Sequence, residues 1–322
     1  MFILRDWVDI NKIDWLNLCL NPNAIDLLKE NQDEIDWDII TFNSNAIDLI
    51  EENQDKINWD LLAWNENAIE LLKKNQDKIN WSSLSLNINA VELLKENKKK
   101  INWSALSSNS NAIELLKQNK NKIKWGILSK NPNAITLLKK NLNKINWDFL
   151  SENPNAIEIL KENQNKINWN ILSLNSNAIE ILKENQNKIN WDYLSSNINP
   201  KAIELLKENK NKINWSYLSK NPNAVEFLKE NKDKIDWSKL SENPNAIELL
   251  KENQDKIDWF IFSKNPNIFT YDYKKMKINM KNSGIAEELM SVIFHPANMD
   301  KWNDWGFSEH LEMLNFIDNQ FL

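Results

Sequence analysis

The stretch W-D-F-L-S-E-N-P-N-A-I-E-I-L-K-E-N-Q-N-K-I-N, residues 147–168, decides the fold because it recurs along most of the chain. Trp opens such a stretch at positions 15, 37, 59, 81, 103, 125, 147, 169, 191, 215, 237 and 259. Every gap is 22 residues except Trp191 to Trp215, which is 24, with the extra pair near Asn199-Pro200. Self-similarity at one period marks a repeat architecture. We number the Trp-headed units 1 to 12, the last one truncated, and name positions by their offset from the Trp. Offsets 6 and 8 are Asn in all twelve, from Asn21 and Asn23 to Asn265 and Asn267.

The pattern predicts two short helices per unit. The first starts after an Asn or Asp such as Asp36, Asn58 or Asn146, residues whose side chains cap helix N-termini. It stops at the offset-6 Asn, which tolerates the left-handed conformation. The second opens, in half the units, with Pro (Pro22, Pro132, Pro154, Pro222, Pro244, Pro266), whose missing N–H costs nothing at the first helical position. A-I-E-L-L-K-E follows, built from strong helix formers with an apolar face at spacings of three and four. It ends at an offset-16 Asn, and a polar turn leads on.

No single unit can bury its own Trp, Ile and Leu, but stacked units can. The expected fold is an all-α solenoid of twelve ~22-residue helix-turn-helix repeats over 15–267, with an N-terminal cap over 1–14. A C-terminal helical capping module is expected over 268–322. A leucine-rich repeat has a similar period, but it needs apolar residues alternating into a strand. Asp60, Ser82, Asp148 and Ser216 interrupt that alternation. The period is too short for TPR, ankyrin or HEAT units of about 33–47 residues. The twelve Trp residues are expected in the core, since each can bury about 150–250 Å².

Composition removes other classes. One cysteine (Cys19) excludes an internal disulfide, and two histidines with one cysteine cannot make the usual zinc ligand set. Three glycines cannot supply phosphate-cradling loops. No apolar run approaches the ~18 residues of a membrane span, and the start, M-F-I-L-R-D-W-V-D, does not read as a signal peptide. The reading is soluble and intracellular. His295 and His310 have no partners that suggest a metal, and no nucleophile–base–orienter set stands out. Neither enzyme activity, cofactor nor metal is expected. N-x-S triplets at Asn80, Asn102 and Asn214 are by-products of the repeat.

Tandem N-P-N-A-I-E-L-L-K-E-N-x-x-K-I-N-W-x-x-L-S units resemble uncharacterised repeat proteins encoded in multiple copies by giant, mimivirus-like DNA viruses of protists. The tail adds to the resemblance with E-E-L, then His295-Pro296 and Gly306. Asn298 stands where that family has a basic residue. The resemblance implies a viral origin and no known active site. The Asn, Ile and Lys bias fits an AT-rich coding sequence.

Two features point to function. Offsets 2 and 5 vary while their neighbours stay fixed, and they share one face of the first helix. That face carries Ile39, Phe42, Leu61, Trp64 and Leu86, then Phe149, Ile171, Leu174, Tyr193 and Tyr217. Variable residues on a constant frame are how a repeat array presents a binding surface, here apolar and suited to a protein partner. Charge is also uneven. Residues 1–60 hold 4 basic and 14 acidic residues, whereas 95–147 hold 12 Lys and 2 Glu. Offset 19 is Lys from Lys56 to Lys256 in all complete units but the first, where it is Glu34. Lys98, Lys99, Lys100, Lys120, Lys122 and Lys124 thicken this ridge, which could follow a phosphate backbone. The near absence of Arg, only Arg5, argues against base recognition. The expectation is a non-enzymatic scaffold for protein–protein interaction. Nucleic-acid binding over 95–147, self-association and a structural virion or assembly role are the alternatives.

Overall fold

A computed structural model describes residues 2–293. The chain is a mostly helical repeat protein in which short helix pairs follow one another regularly. It divides into two compact bodies. One is the repeat body, Arg5–Ile268. The other joins the first residues to those after Ile268. In this second body, β1 (Phe2–Leu4) pairs antiparallel with β2 (Phe269–Tyr271), and helices Tyr273–Asn282 and Ile285–Ile293 follow. The stretches around His295, 301–306 and 308–320 lie outside the described residues.

Unit 7 shows the local construction. Asn146 accepts a hydrogen bond from the Phe149 N–H at 3.1 Å and starts helix Trp147–Glu152. The second helix runs Ile157–Glu162, and Gln164–Lys166 forms a turn of 3₁₀ helix where the sequence suggests only a polar turn. Asn163, at offset 16, donates to the Ile159 carbonyl at 2.9 Å and satisfies an orphan acceptor of the helix end. Asn or Asp caps the first helix in the same way elsewhere. Unit 6 departs, with Lys124 at the cap position and no side-chain cap bond.

The offset-6 Asn does not stop the first helix by turning left-handed. Asn131, for example, has φ −73° and ψ 116°, and no described residue other than glycine has positive φ. The extended conformation frees the carboxamide for two other tasks. Its Oδ1 accepts from the offset-8 N–H (Asn133 to Asn131, 3.0 Å), capping the turn that leads into the second helix. Its Nδ2 donates to two carbonyls of the preceding unit, Ser107 at 3.2 Å and Asn109 at 2.9 Å. These Asn side chains are buried, so the bonds satisfy backbone groups that water cannot reach. Asn at offset 8 runs a second ladder to the preceding offset-7 carbonyl, as in Asn133 to Ser110 at 3.0 Å.

Leu at offsets 3 and 13 and Ala at offset 9 are fully buried almost throughout, and they make the core between the two helices. The Trp residues that head the units are half-buried, not core. Each opens the first turn of its helix, and in eight of the eleven complete units the lysine that closes the same unit lies over its ring. Lys78 sits 4.3 Å from the Trp59 centroid, Lys100 4.4 Å from Trp81 and Lys188 4.3 Å from Trp169. A cation over an indole face is attracted by the ring quadrupole.

The repeat body closes on itself. Asn21 of unit 1 donates to the Ser263 carbonyl at 3.1 Å and the Asn265 carbonyl at 2.9 Å, both in unit 12. Asn23 donates to the Pro266 carbonyl at 3.0 Å, continuing the second ladder. Unit 12 supplies only its first half from the C-terminal side of the repeat body. Residues 10–14 supply offsets 17–21. Ile10–Lys12 is the 3₁₀ turn, and the Lys12 ammonium lies 5.2 Å from the Trp259 centroid. The Asp14 N–H donates to Ser263 Oγ at 2.8 Å, as the Asn102 N–H does to Ser85 Oγ at 3.0 Å within unit 4. Trp7 stacks on Phe262, centroids 5.7 Å apart, and Arg5 bonds the Asn267 and Ile268 carbonyls. Residues 10–14 therefore serve as the inter-unit turn between units 12 and 1. An open array exposes a hydrophobic edge at each end, whereas here the two edges cover one another.

Candidate interaction surface

The first helix is so short that its geometry sorts its side chains. Offsets 3 and 4 point into the core, and offset 0 lies along the unit edge. Offsets 1, 2 and 5 are left facing out. Within the repeat body, eleven large apolar side chains are exposed, and eight lie on this face: Leu16, Leu20, Phe42, Trp64, Leu174, Tyr193, Tyr217 and Phe260. Such concentration is not the scatter of single apolar residues normal for a protein surface. Phe42 is 41% exposed and Trp64 48%. Tyr193 and Tyr217 are 37% and 44% exposed. The offset-2 residues Ile39 and Leu61 and the offset-5 residue Leu86 are half-buried, so part of each packs within the repeat body.

Offset-5 side chains of successive units meet. Glu242 bridges Lys220 at 3.0 Å and Lys264 at 3.1 Å, an ion triad across units 10, 11 and 12. Partial burial pushes the Glu242 carboxyl up. The two ammonium groups outweigh that and hold it below the usual carboxylate range. Lys130, at offset 5 of unit 6, lies 5.7 Å from the ring of Phe149, at offset 2 of the next unit. The chemistry of this row changes around the ring. Leu20, Phe42, Trp64 and Leu86 form one apolar sector over units 1–4. Closure makes units 12 and 1 neighbours, so the exposed offset-1 residues Phe260 and Leu16 lie on adjacent units and extend that sector. Asp38 and Asp60, exposed at offset 1, rim it with carboxylates. Leu174, Tyr193 and Tyr217 form a second, smaller sector over units 8–10.

The lysines fall into two groups. Lys100 is clamped over Trp81, so the regular offset-19 ridge has a packing role. Lys98 and Lys99 lie in a 3₁₀ turn, Lys120 and Lys122 in the next, and Lys124 at an uncapped helix start; all five are exposed. Cys19, at offset 4 where most units have Ser, is buried, and burial pushes its thiol above the ordinary range. Among the described residues, no group of three His, Cys, Asp or Glu could hold a metal, and no helix is long and apolar enough to cross a membrane. No family model, curated protein or solved structure matches the chain.

Sequence reasoning missed Phe260, Leu16 and Leu20 because they lie at opposite ends of the array. The available signal was Phe260 itself, a large apolar residue at an offset otherwise filled mainly by Asp or Ser.

Proposed function

We propose that this chain is a non-enzymatic scaffold of twelve 22-residue repeats that binds a protein partner on the apolar sector over units 12 to 4. The observation that carries this reading is the clustering of Phe260, Leu16, Leu20, Phe42 and Trp64 on one exposed face. Exposed aromatic residues cost solvation in the free protein and are enriched among the anchors of interfaces. The carboxylate rim and the excess of acids over residues 1–60 select a partner segment with apolar anchors flanked by Lys or Arg. A partner within an infected cell would agree with the repeat motif's resemblance to giant-virus proteins.

The test is a peptide-display selection on the purified protein. Selected peptides should be apolar and basic, and Phe42→Asp with Trp64→Asp should remove their binding while far-UV circular dichroism is unchanged. Peptides that bind the double variant as well as the parent would rule this sector out.

A further inference from the structure

The second helices of neighbouring units stand apart and leave grooves between them. One groove, of about 580 Å³, lies between Ile113–Gln118 of unit 5 and Ile135–Lys139 of unit 6. Lys117, Lys120, Lys140 and Lys144 line it, together with Thr136, and no carboxylate does. A groove between units 10 and 11, nearer the start of the second helices, is lined by Glu226 and Glu248 with Lys229.

The missing carboxylate of unit 6 has a sequence cause. The position that begins the second helix's outer face, offset 11, is Asp or Glu in every complete unit except unit 6, allowing for the two-residue insertion that moves it to Glu204. There it is Thr136. In units 3, 4, 5, 7 and 10 that glutamate pairs with the lysine three residues on, at 2.7 to 3.4 Å. Unit 6 keeps the lysine, Lys139, adds Lys140 where most units have Glu, and loses the acid. Two lining ammonium groups are already held: Lys117 by Glu114 at 2.7 Å, and Lys144 over the Trp125 ring at 4.6 Å. Lys120 and Lys140 make no ion pair among the described residues. With Lys117 paired to Glu114, Lys120, Lys140 and Lys144 leave uncompensated positive charge around one concavity, which concentrates an attractive field for anions.

We propose that this groove binds a linear oligophosphate, an anion carrying three or more charges on a short chain. Ammonium groups are compact point charges with rotatable donors, so they read charge density and not the planar fork geometry that arginine matches. The groove takes a compact chain that several ammonium groups can reach at once, and the Thr136 hydroxyl adds a neutral donor beside them. The site is on the second helices and does not depend on the apolar sector.

The deciding experiment is calorimetric titration of the intact chain with inorganic tripolyphosphate at low and near-physiological salt. Saturable binding that weakens with salt is expected. Thr136→Glu restores the residue class found in the other complete units, so it should fold normally. It should weaken binding roughly tenfold or more, because it adds a negative charge within a few ångströms of the ligand. Thr136→Gln, similar in size and neutral, should bind like the parent. Competition by ATP, with displacement of tripolyphosphate, would identify a nucleotide's phosphates as a second source of the same chemistry and supports the proposal. The absence of binding at low salt overturns it, as does equal binding by Thr136→Glu. So does a single-stranded oligonucleotide that binds but is not displaced by tripolyphosphate.

Discussion

Replacing Asn21 by Ala should cost as much stability as replacing Asn131, although Asn21 lies in the first unit and Asn131 in the middle. Asn131 makes two buried bonds to the preceding unit, at 3.2 and 2.9 Å, and one capping bond at 3.0 Å. Asn21 makes the same three, at 3.1, 2.9 and 3.0 Å, with unit 12 as its preceding unit. Both side chains are fully buried. Each neutral bond contributes about 1 kcal/mol net, and a buried carbonyl left without a donor costs about 1–3 kcal/mol. The expected loss is therefore about 3–5 kcal/mol for either variant. In an open array Asn21 would have no preceding unit, and its removal would cost only the cap, about 1 kcal/mol. The assay is urea unfolding followed by Trp fluorescence and far-UV circular dichroism, comparing midpoints at matched slopes. A loss near 1 kcal/mol for Asn21→Ala beside a full loss for Asn131→Ala would refute ring closure. A small loss for both would refute the ladder's energetic role.

Other outcomes follow from single departures within the repeat. Lys124→Asn supplies the missing cap of unit 6 and should stabilise by about 1 kcal/mol, read as a higher urea midpoint. Cys19 should be inert to a thiol reagent at pH 8 in the folded chain and react at once in urea, since it is buried. Its folded thiol titrates above the unfolded one, so the unfolded chain loses its proton first. The resulting stability is present below the unfolded pKa of about 8.5 and declines as pH rises beyond it, an effect Cys19→Ser should remove from a pH series of melting curves. Lowering pH into the acid range should cost stability as Glu242 protonates between Lys220 and Lys264, and Glu242→Gln should flatten that arm.

The helices were legible because their determinants are local. A cap at Asn146, proline at the start of the turn in unit 6, and apolar residues at spacings of three and four each act within one unit. Asn131 was misread for a related reason. A helix stop explains one Asn, but it does not explain Asn at the same offset in all twelve units, where several turn formers would serve. Only the neighbouring unit shows that both ends of the carboxamide are used. The Trp residues were assigned to the core on size alone, whereas a lysine nineteen residues later covers the ring and leaves it at the edge.

By itself, then, the sequence determined the period, the helix pairs, the apolar face of each and the uneven charge along the array. Tertiary structure alone decided that residues 10–14 serve as the closing turn of unit 12 and that units 12 and 1 are neighbours, which sets Phe260 and Leu16 on adjacent units. The physical reason is that closure depends on the small rotation between units. That rotation comes from how closely the first helices pack relative to the second ones, and a small difference per step, summed over twelve steps, separates a ring from an open superhelix.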